Sequence, residues 1–364
     1  MFLCIITKMY SRILSEPPKK LIKNGKPIFG TFINAPDKLD IRGVLRPFGV
    51  IPLPTFITDL RIRSNLSFTF DTDEYIGTID FLDIRIFGHV EVVFFEKKSG
   101  RKLSYRSIIG PRRRLIPKKT DNGVCISFNK NRYIKISWDK KRGTINAVLN
   151  LKGDSVRPSV TAALCGNLNA EDAGVVASVL PAPIMRRCRA TWLLSAPLEG
   201  NISLHEKSDL TMPVKNDISG KVLFETVRAY YKLRSKRISS MATGFVKNHS
   251  ISFAITSSNL EAVDQDAYNE NVLFCDGVLT PLPPVKITYP FGIRGKWIIQ
   301  DTENMVDLTF TPISDHLRIL SVFVLRTQSH TIYGKFEGVI RTKDGEDIVL
   351  KDFSGIVKKQ LMRL

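Results

Sequence analysis

The sequence predicts an all-β protein of two tandem antiparallel β-barrel halves, and three observations carry that reading. Apolar and polar residues alternate in Leu66-Ser67-Phe68-Thr69-Phe70 and in Tyr133-Ile134-Lys135-Ile136-Ser137-Trp138, segments rich in the β-branched and aromatic types that suit a half-buried pleated surface. Gly-bearing turns separate such runs: Lys98-Ser99-Gly100, Asp121-Asn122-Gly123, Lys141-Arg142-Gly143, Asp276-Gly277 and Lys343-Asp344-Gly345 place Gly where hairpins need positive φ. The length of 364 residues accommodates two such halves, and helical spacing is scarce.

Residues 1–15 read as a flexible leader. The apolar run Phe2-Leu3-Cys4-Ile5-Ile6 is too short for a signal peptide or a membrane span, and Lys8 and Arg12 follow it. A cytoplasmic location is expected, with organelle import through the basic, Ser-containing, acid-free leader as the alternative. Residues 16–190 form the expected first half. Its strand pattern runs from Leu60 to Leu151, with long strands at Tyr75 to Phe81 and Ile84 to Glu96. Ser159 to Ile184 is rich in Ala, Val and Leu and ends at Pro181 and Pro183, so it reads as a strand and crossover, with a short buried helix as the alternative. Residues 191–364 form the expected second half. Met305 to Phe310, Leu317 to Arg326, Thr331 to Arg341 and Asp347 to Phe353 are four strand-like runs, a meander that hides its edges best by curling into a calycin-like barrel.

Charge is the largest compositional anomaly. Lys and Arg number 54 against 35 Asp and Glu, a net +19 that attracts anions. The clusters Arg112-Arg113-Arg114 to Lys118-Lys119, Arg186-Arg187 with Arg189, and Lys232 to Arg237 read as solvated faces, with contacts to nucleic acid or an anionic membrane as alternatives. Cys4, Cys125, Cys165, Cys188 and Cys275 form no CxxC pair, which gives neither a disulfide framework nor a zinc knuckle. His89, His205, His249, His316 and His330 never occur as HxH or HExxH, and His89 reads as a partly buried strand histidine. GxSxG, GxxxxGK[ST] and GxGxxG are absent, so no cofactor is expected and no metal is encoded locally.

The stretch Glu225-Thr226-Val227-Arg228-Ala229-Tyr230-Tyr231 places an acid and an arginine beside aromatics. In an extended strand those two charges face opposite sides, so direct pairing needs a bulge or turn. Asn269-Glu270-Asn271 reads as a loop delivering polar side chains to the strand Val272-Leu273-Phe274-Cys275.

The run Asn269 to Gly277, then Trp297, then Val306-Asp307-Leu308-Thr309-Phe310-Thr311-Pro312, then Ile332 to Gly338 and the closing Lys351-Asp352-Phe353-Ser354-Gly355 resembles the domain of unknown function 2804 family in order and spacing. Near the start, Glu16-Pro17-Pro18, Asn24-Gly25-Lys26-Pro27, Gly30-Thr31-Phe32 and Arg42-Gly43 extend the likeness. The resemblance implies a tandem lipocalin-like fold, akin to the hydroxyneurosporene synthase group, whose members handle apolar isoprenoid-like molecules. The family's Asp-Trp-Gly-Arg-Gly segment corresponds here to Glu225 through Ala229, where only the acid character and Arg228 persist.

The expected function is binding of an apolar or amphipathic small molecule, lipid or isoprenoid-like, in a barrel cavity. Glu225, Arg228, Tyr230, Tyr231, Asn269 and Asn271 are its expected polar contacts. Alternatives are a cofactor-independent isoprenoid isomerase or hydratase using Glu225 or a histidine as acid, and a basic interaction protein.

Overall fold

The computed structural model describes residues 10–49, 53–84, 87–110, 115–182, 186–205, 216–230, 234–257, 264–322 and 325–363. The chain opens with the short strands β1 (Leu14–Ser15), β2 (Ile22–Lys23), β3 (Lys26–Pro27) and β4 (Gly30–Phe32), then one helical turn, α1 (Thr55–Asp59). Long strands follow: β5 (Ile62–Thr72), β6 (Tyr75–Asp83), β7 (Gly88–Glu96), β8 (Lys102–Ile109), β9 (Asn122–Asn129), β10 (Arg132–Asp139) and β11 (Thr144–Leu151). The first sheet is completed by β12 (Ser159–Asn167), β13 (Gly174–Pro181), β14 (Cys188–His205) and β15 (Asn216–Tyr230). The second sheet comprises β16 (Arg234–Val246), β17 (His249–Thr256), β18 (Val272–Cys275), β19 (Val278–Pro281), β20 (Lys286–Thr288), β21 (Trp297–Gln300), β22 (Val306–Val322), β23 (Leu325–Arg341) and β24 (Asp347–Arg363).

Ten strands in the order β8-β7-β6-β5-β15-β14-β12-β11-β10-β9 curl into a nearly closed barrel. Across the gap between its end strands, Asn129 Nδ2 donates to Ser107 Oγ at 3.0 Å. β14 keeps β15 on one side and changes partner on the other, from β13 over residues 188–195 to β12 over 198–205. The second sheet runs β19-β18-β17-β16-β24-β23-β22-β21-β20 as a half-barrel. The molecule is thus nearly all-β, a nearly closed barrel beside a half-barrel sheet, which matches the expected all-β class of two barrel-forming parts.

Several local expectations are corrected. The changeover between sheets falls between Tyr230 and Arg234 rather than at 191, because β14 and β15 pair continuously with each other and β15 pairs with β5. The segment 10–15 is not a free leader, since Leu14 and Ser15 pair with Thr31 and Phe32 and Arg12 is buried. Ser159 to Pro181 supplies two strands and no helix: Val160, Ala162 and Leu164 point inward while Thr161, Ala163 and Cys165 are exposed, a period of two. The four C-terminal runs are three long strands: Val306 to Phe310 and Leu317 to Val322 lie together in β22, which bulges between Pro312 and Ser314, while Leu325 and Arg326 already belong to β23. Gly123 is not a turn residue but sits within β9, where an added Cβ would meet the Trp138 ring.

Alternation sends one face of each barrel strand inward. Phe68, Phe70, Phe94, Trp138, Trp192 and Phe224 fill the interior, with the centroids of the last three 5.2 to 5.9 Å apart. The opposite face meets the second sheet. There Val176, Leu193, Leu223 and Phe95 pack on Met241, Val272, Phe274, Tyr333 and Ile356, and Phe95 stacks on Tyr333 at 5.5 Å. The second sheet has a separate core around Phe253, Trp297, Phe310 and Phe336.

Candidate ligand site between the two sheets

The contact face between the sheets is partly polar. Lys358 Nζ bridges Asp80 (2.7 Å) and Ser67 (2.9 Å), and Ser195 Oγ meets Ser252 Oγ at 2.7 Å. Glu91 accepts from Arg106 at 2.6 Å and Arg318 at 3.1 Å, and its carboxylate lies 2.9 Å from His316 Nε2. Burial acts to raise the Glu91 pKa, but His316, Arg318 and Arg106 outweigh it and hold it at about 2. Burial and the Arg318 charge lower His89 to about 4, so that ring is neutral at pH 7.

At one end of this contact lies a cavity of about 20 Å³, space for a water or two. β13 contributes Val176 and Ser178, β14 Thr191 and Leu193, and β15 Glu225; from the second sheet come Ser239, Met241, Ala254, Thr256 and Val272. Arg12, Thr31, Arg237 and Glu270 also line it.

Glu225, Arg237 and Glu270 in the lining form one ion-paired cluster with Arg189. Arg237 Nη2 donates to Glu270 Oε1 (2.9 Å), Thr256 Oγ1 (3.2 Å) and Glu225 Oε1 (3.3 Å). Arg189 lies 3.2 Å from Glu270 and 3.8 Å from Glu225, and the four side chains are 12–18% exposed. Desolvation pushes the Glu270 pKa up, yet the two guanidiniums and the Thr256 hydroxyl keep it at about 2. Arg12 Nη1 donates to Asn269 O (2.8 Å) and to Asn269 Oδ1, and Nη2 to Asn271 O (3.0 Å). Two arginines and two glutamates line the cavity, and Arg189, outside the lining but paired with both glutamates, brings the cluster to three arginines against two glutamates. Arg12 Nε and Thr31 Oγ1 are buried with no hydrogen-bond partner, as is Arg189 Nη2. Unsatisfied buried donors of this kind favour an oxygen-bearing guest.

Of the six residues expected at one rim, the five that are described are not brought together. Glu225 faces the cavity, but Arg228, three positions on in an unbulged strand, points the other way. Its guanidinium donates to Ser64 Oγ (2.7 Å) and to the carbonyls of Ile116 and Pro117 (both 2.8 Å), and burial lowers its pKa to about 10. Tyr230 shares that parity, and its hydroxyl donates to Asp59 Oδ1 at 2.9 Å. Tyr231 lies outside the described residues. Asn271 is fully buried, accepting from Thr256 N and donating to Pro283 O, both at 2.8 Å, which makes it a loop staple. Asn269 reaches the site only through Arg12 and Tyr10.

Sequence reading passed over Arg12, Arg189, Arg237 and Glu270. Arg189 and Arg237 belong to clusters expected to be solvated, and Glu270 sits between the two asparagines that drew attention. Arg12 carries a weak signal at most: Tyr10, Arg12 and Leu14 share one face and exposed Ile13 the other, the reverse of a hydropathic pattern.

No helix among the described residues is long and apolar enough to cross a membrane. No curated protein sequence matches the chain. Among solved structures, a putative AttH from Nitrosomonas europaea is similar at a TM-score of 0.51 and 8% identity, over 86% of this chain and 97% of that one. CghA with Sch210972 is similar at 0.48 and 9% identity (96% and 98% covered), and kievitone hydratase from Nectria haematococca at 0.47 and 11% identity (83% and 88% covered). Residues 60–364 match the family described as a domain of unknown function, DUF2804, and the chain belongs to that family.

Proposed function

We propose that the protein binds an amphipathic small molecule at the contact between its sheets, with an oxygen-bearing, anionic head on the Arg12–Arg237 wall. The observation that carries this reading is the group of buried donors without partners, Arg12 Nε and Thr31 Oγ1, beside an arginine-rich cluster. The barrel interior favours no guest, since aromatic side chains fill it. As it stands the cavity admits only a head-sized group, so an apolar tail requires a wall side chain to yield. Met241 is the candidate, being unbranched and flexible among Leu193, Val176 and Val272. Native mass spectrometry of protein purified from its own cells tests the proposal. A bound mass lost on Met241→Trp, with the fold retained, is expected; no bound mass, or one that persists in that variant, overturns it.

The enzymatic alternative has less support here. Glu270, at about 2, is ionised at neutral pH and supplies no proton. Asp71, raised by burial to about 7, is suited to proton transfer, but it is paired with Lys97 at 2.6 Å and does not line the cavity.

A further inference from the structure

Away from the cavity, two hairpin ends of the second sheet, β16–β17 and β18–β19, converge on a group of mixed donors. His249 begins β17, Cys275 ends β18, and Asp276 opens the turn into β19. His249 Nδ1 lies 2.7 Å from Asp276 Oδ2, and Cys275 Sγ lies 3.8 Å from that oxygen. The three donor atoms all fall within 4.8 Å of one another. We propose that His249, Cys275 and Asp276 form a binding site for a zinc-like divalent cation, with a fourth position left to water.

Nitrogen, sulfur and carboxylate oxygen are the donor types zinc takes, at about 2.0–2.3 Å. Donors around a tetrahedral zinc therefore sit about 3.3–3.8 Å apart, which this group reaches by side-chain rotations of about 1 Å. The surroundings orient the ligands in advance. Asp276 Oδ1 accepts from Ser250 N at 2.7 Å, which turns Oδ2 toward the histidine and the thiol. Glu346 Oε1 lies 3.8 Å from His249 Nε2, the place of the carboxylate that commonly supports a metal-bound imidazole through its other nitrogen. The turn itself is fixed: Asp276 and Gly277 have φ of 50° and 78°, and a Cβ on Gly277 would meet Glu171 O. The cation takes the thiolate, so binding must displace the Cys275 proton and tightens as pH rises. The geometry also explains why no sequence motif announces the group, since His249 lies on a different hairpin, 26 residues before Cys275.

The test is a Co²⁺ titration of the reduced, untagged full chain, read by thiolate-to-cobalt charge-transfer absorption. A saturating band at one ion per chain is expected, displaced by Zn²⁺ and abolished by Cys275→Ser. His249→Ala, at a 40%-exposed side chain whose removal leaves the core intact, is expected to weaken binding at least tenfold. Absence of a saturable band, survival of the band in Cys275→Ser, unchanged affinity in His249→Ala, or loss of the band in Cys165→Ser overturns the site.

Discussion

The barrel interior and the seam between the sheets are opposite faces of the same strands, yet they are held together differently. On β15, Val222 and Phe224 enter the barrel while Lys221 and Glu225 face the seam; on β7, Val90, Val92 and Phe94 enter while His89 and Glu91 face out. The interior is aromatic packing, non-directional and tolerant of small shifts. Along the seam, buried ions require particular partners, so the second sheet docks in one register or leaves charges uncompensated. That contrast teaches where a guest fits: packing that is already complete leaves no room, whereas a polar seam can exchange one oxygen partner for another.

Truncation separates the two regions most sharply. Phe224→Ala, which opens a hole between Trp138 and Trp192, is expected to cost about 3–5 kcal/mol in urea unfolding. Glu270→Ala strands Arg189 and Arg237 and is expected to cost about 3 kcal/mol, with the loss shared by a double variant that also carries Arg237→Gln. Strict additivity in that double variant would show that the pair is not coupled.

Acid acts on the seam before the interior. Glu91 and Glu270 are held at about 2, below the ordinary glutamate value of 4.5, so the unfolded chain binds their protons first. Their contribution is complete above about pH 4.5 and is lost as pH falls toward 2. Asp71 runs oppositely: with a folded pKa of about 7 against 3.8, it makes the protein less stable as pH rises from about 4 to 7. Asp71→Asn is therefore expected to flatten the stability profile in that window, while Glu270→Gln flattens it below pH 4.5. Chemical denaturation at stepped pH reads both, and an unchanged slope in either variant counts against its assignment.

Much of the fold was legible in the sequence because alternation in strands such as Tyr133 to Trp138 is local, and so is the turn chemistry at Gly100, Gly143, Gly277 and Gly345, all at positive φ. The same period of two correctly separates Glu225 from Arg228. What local pattern does not contain is which outward face another sheet will cover. Arg189 and Arg237 look like any exposed basic residues until β14 and β16 are laid against each other. The site was for that reason less readable than the fold: its members come from β14, β15, β16, the 269–271 loop and Arg12 near the N-terminus, with no shared spacing.

The measurement that bears most directly on the seam as the binding region is a fluorescence titration with cis-parinaric acid, an amphipathic carboxylate, against wild type, Arg237→Gln and Arg228→Gln, each checked for retained β-structure by circular dichroism. Affinity is predicted to fall at least about tenfold in Arg237→Gln, the loss of one charge-assisted hydrogen bond, and to stay unchanged in Arg228→Gln. Loss in Arg228→Gln alone, or no binding by the wild type, would contradict the account.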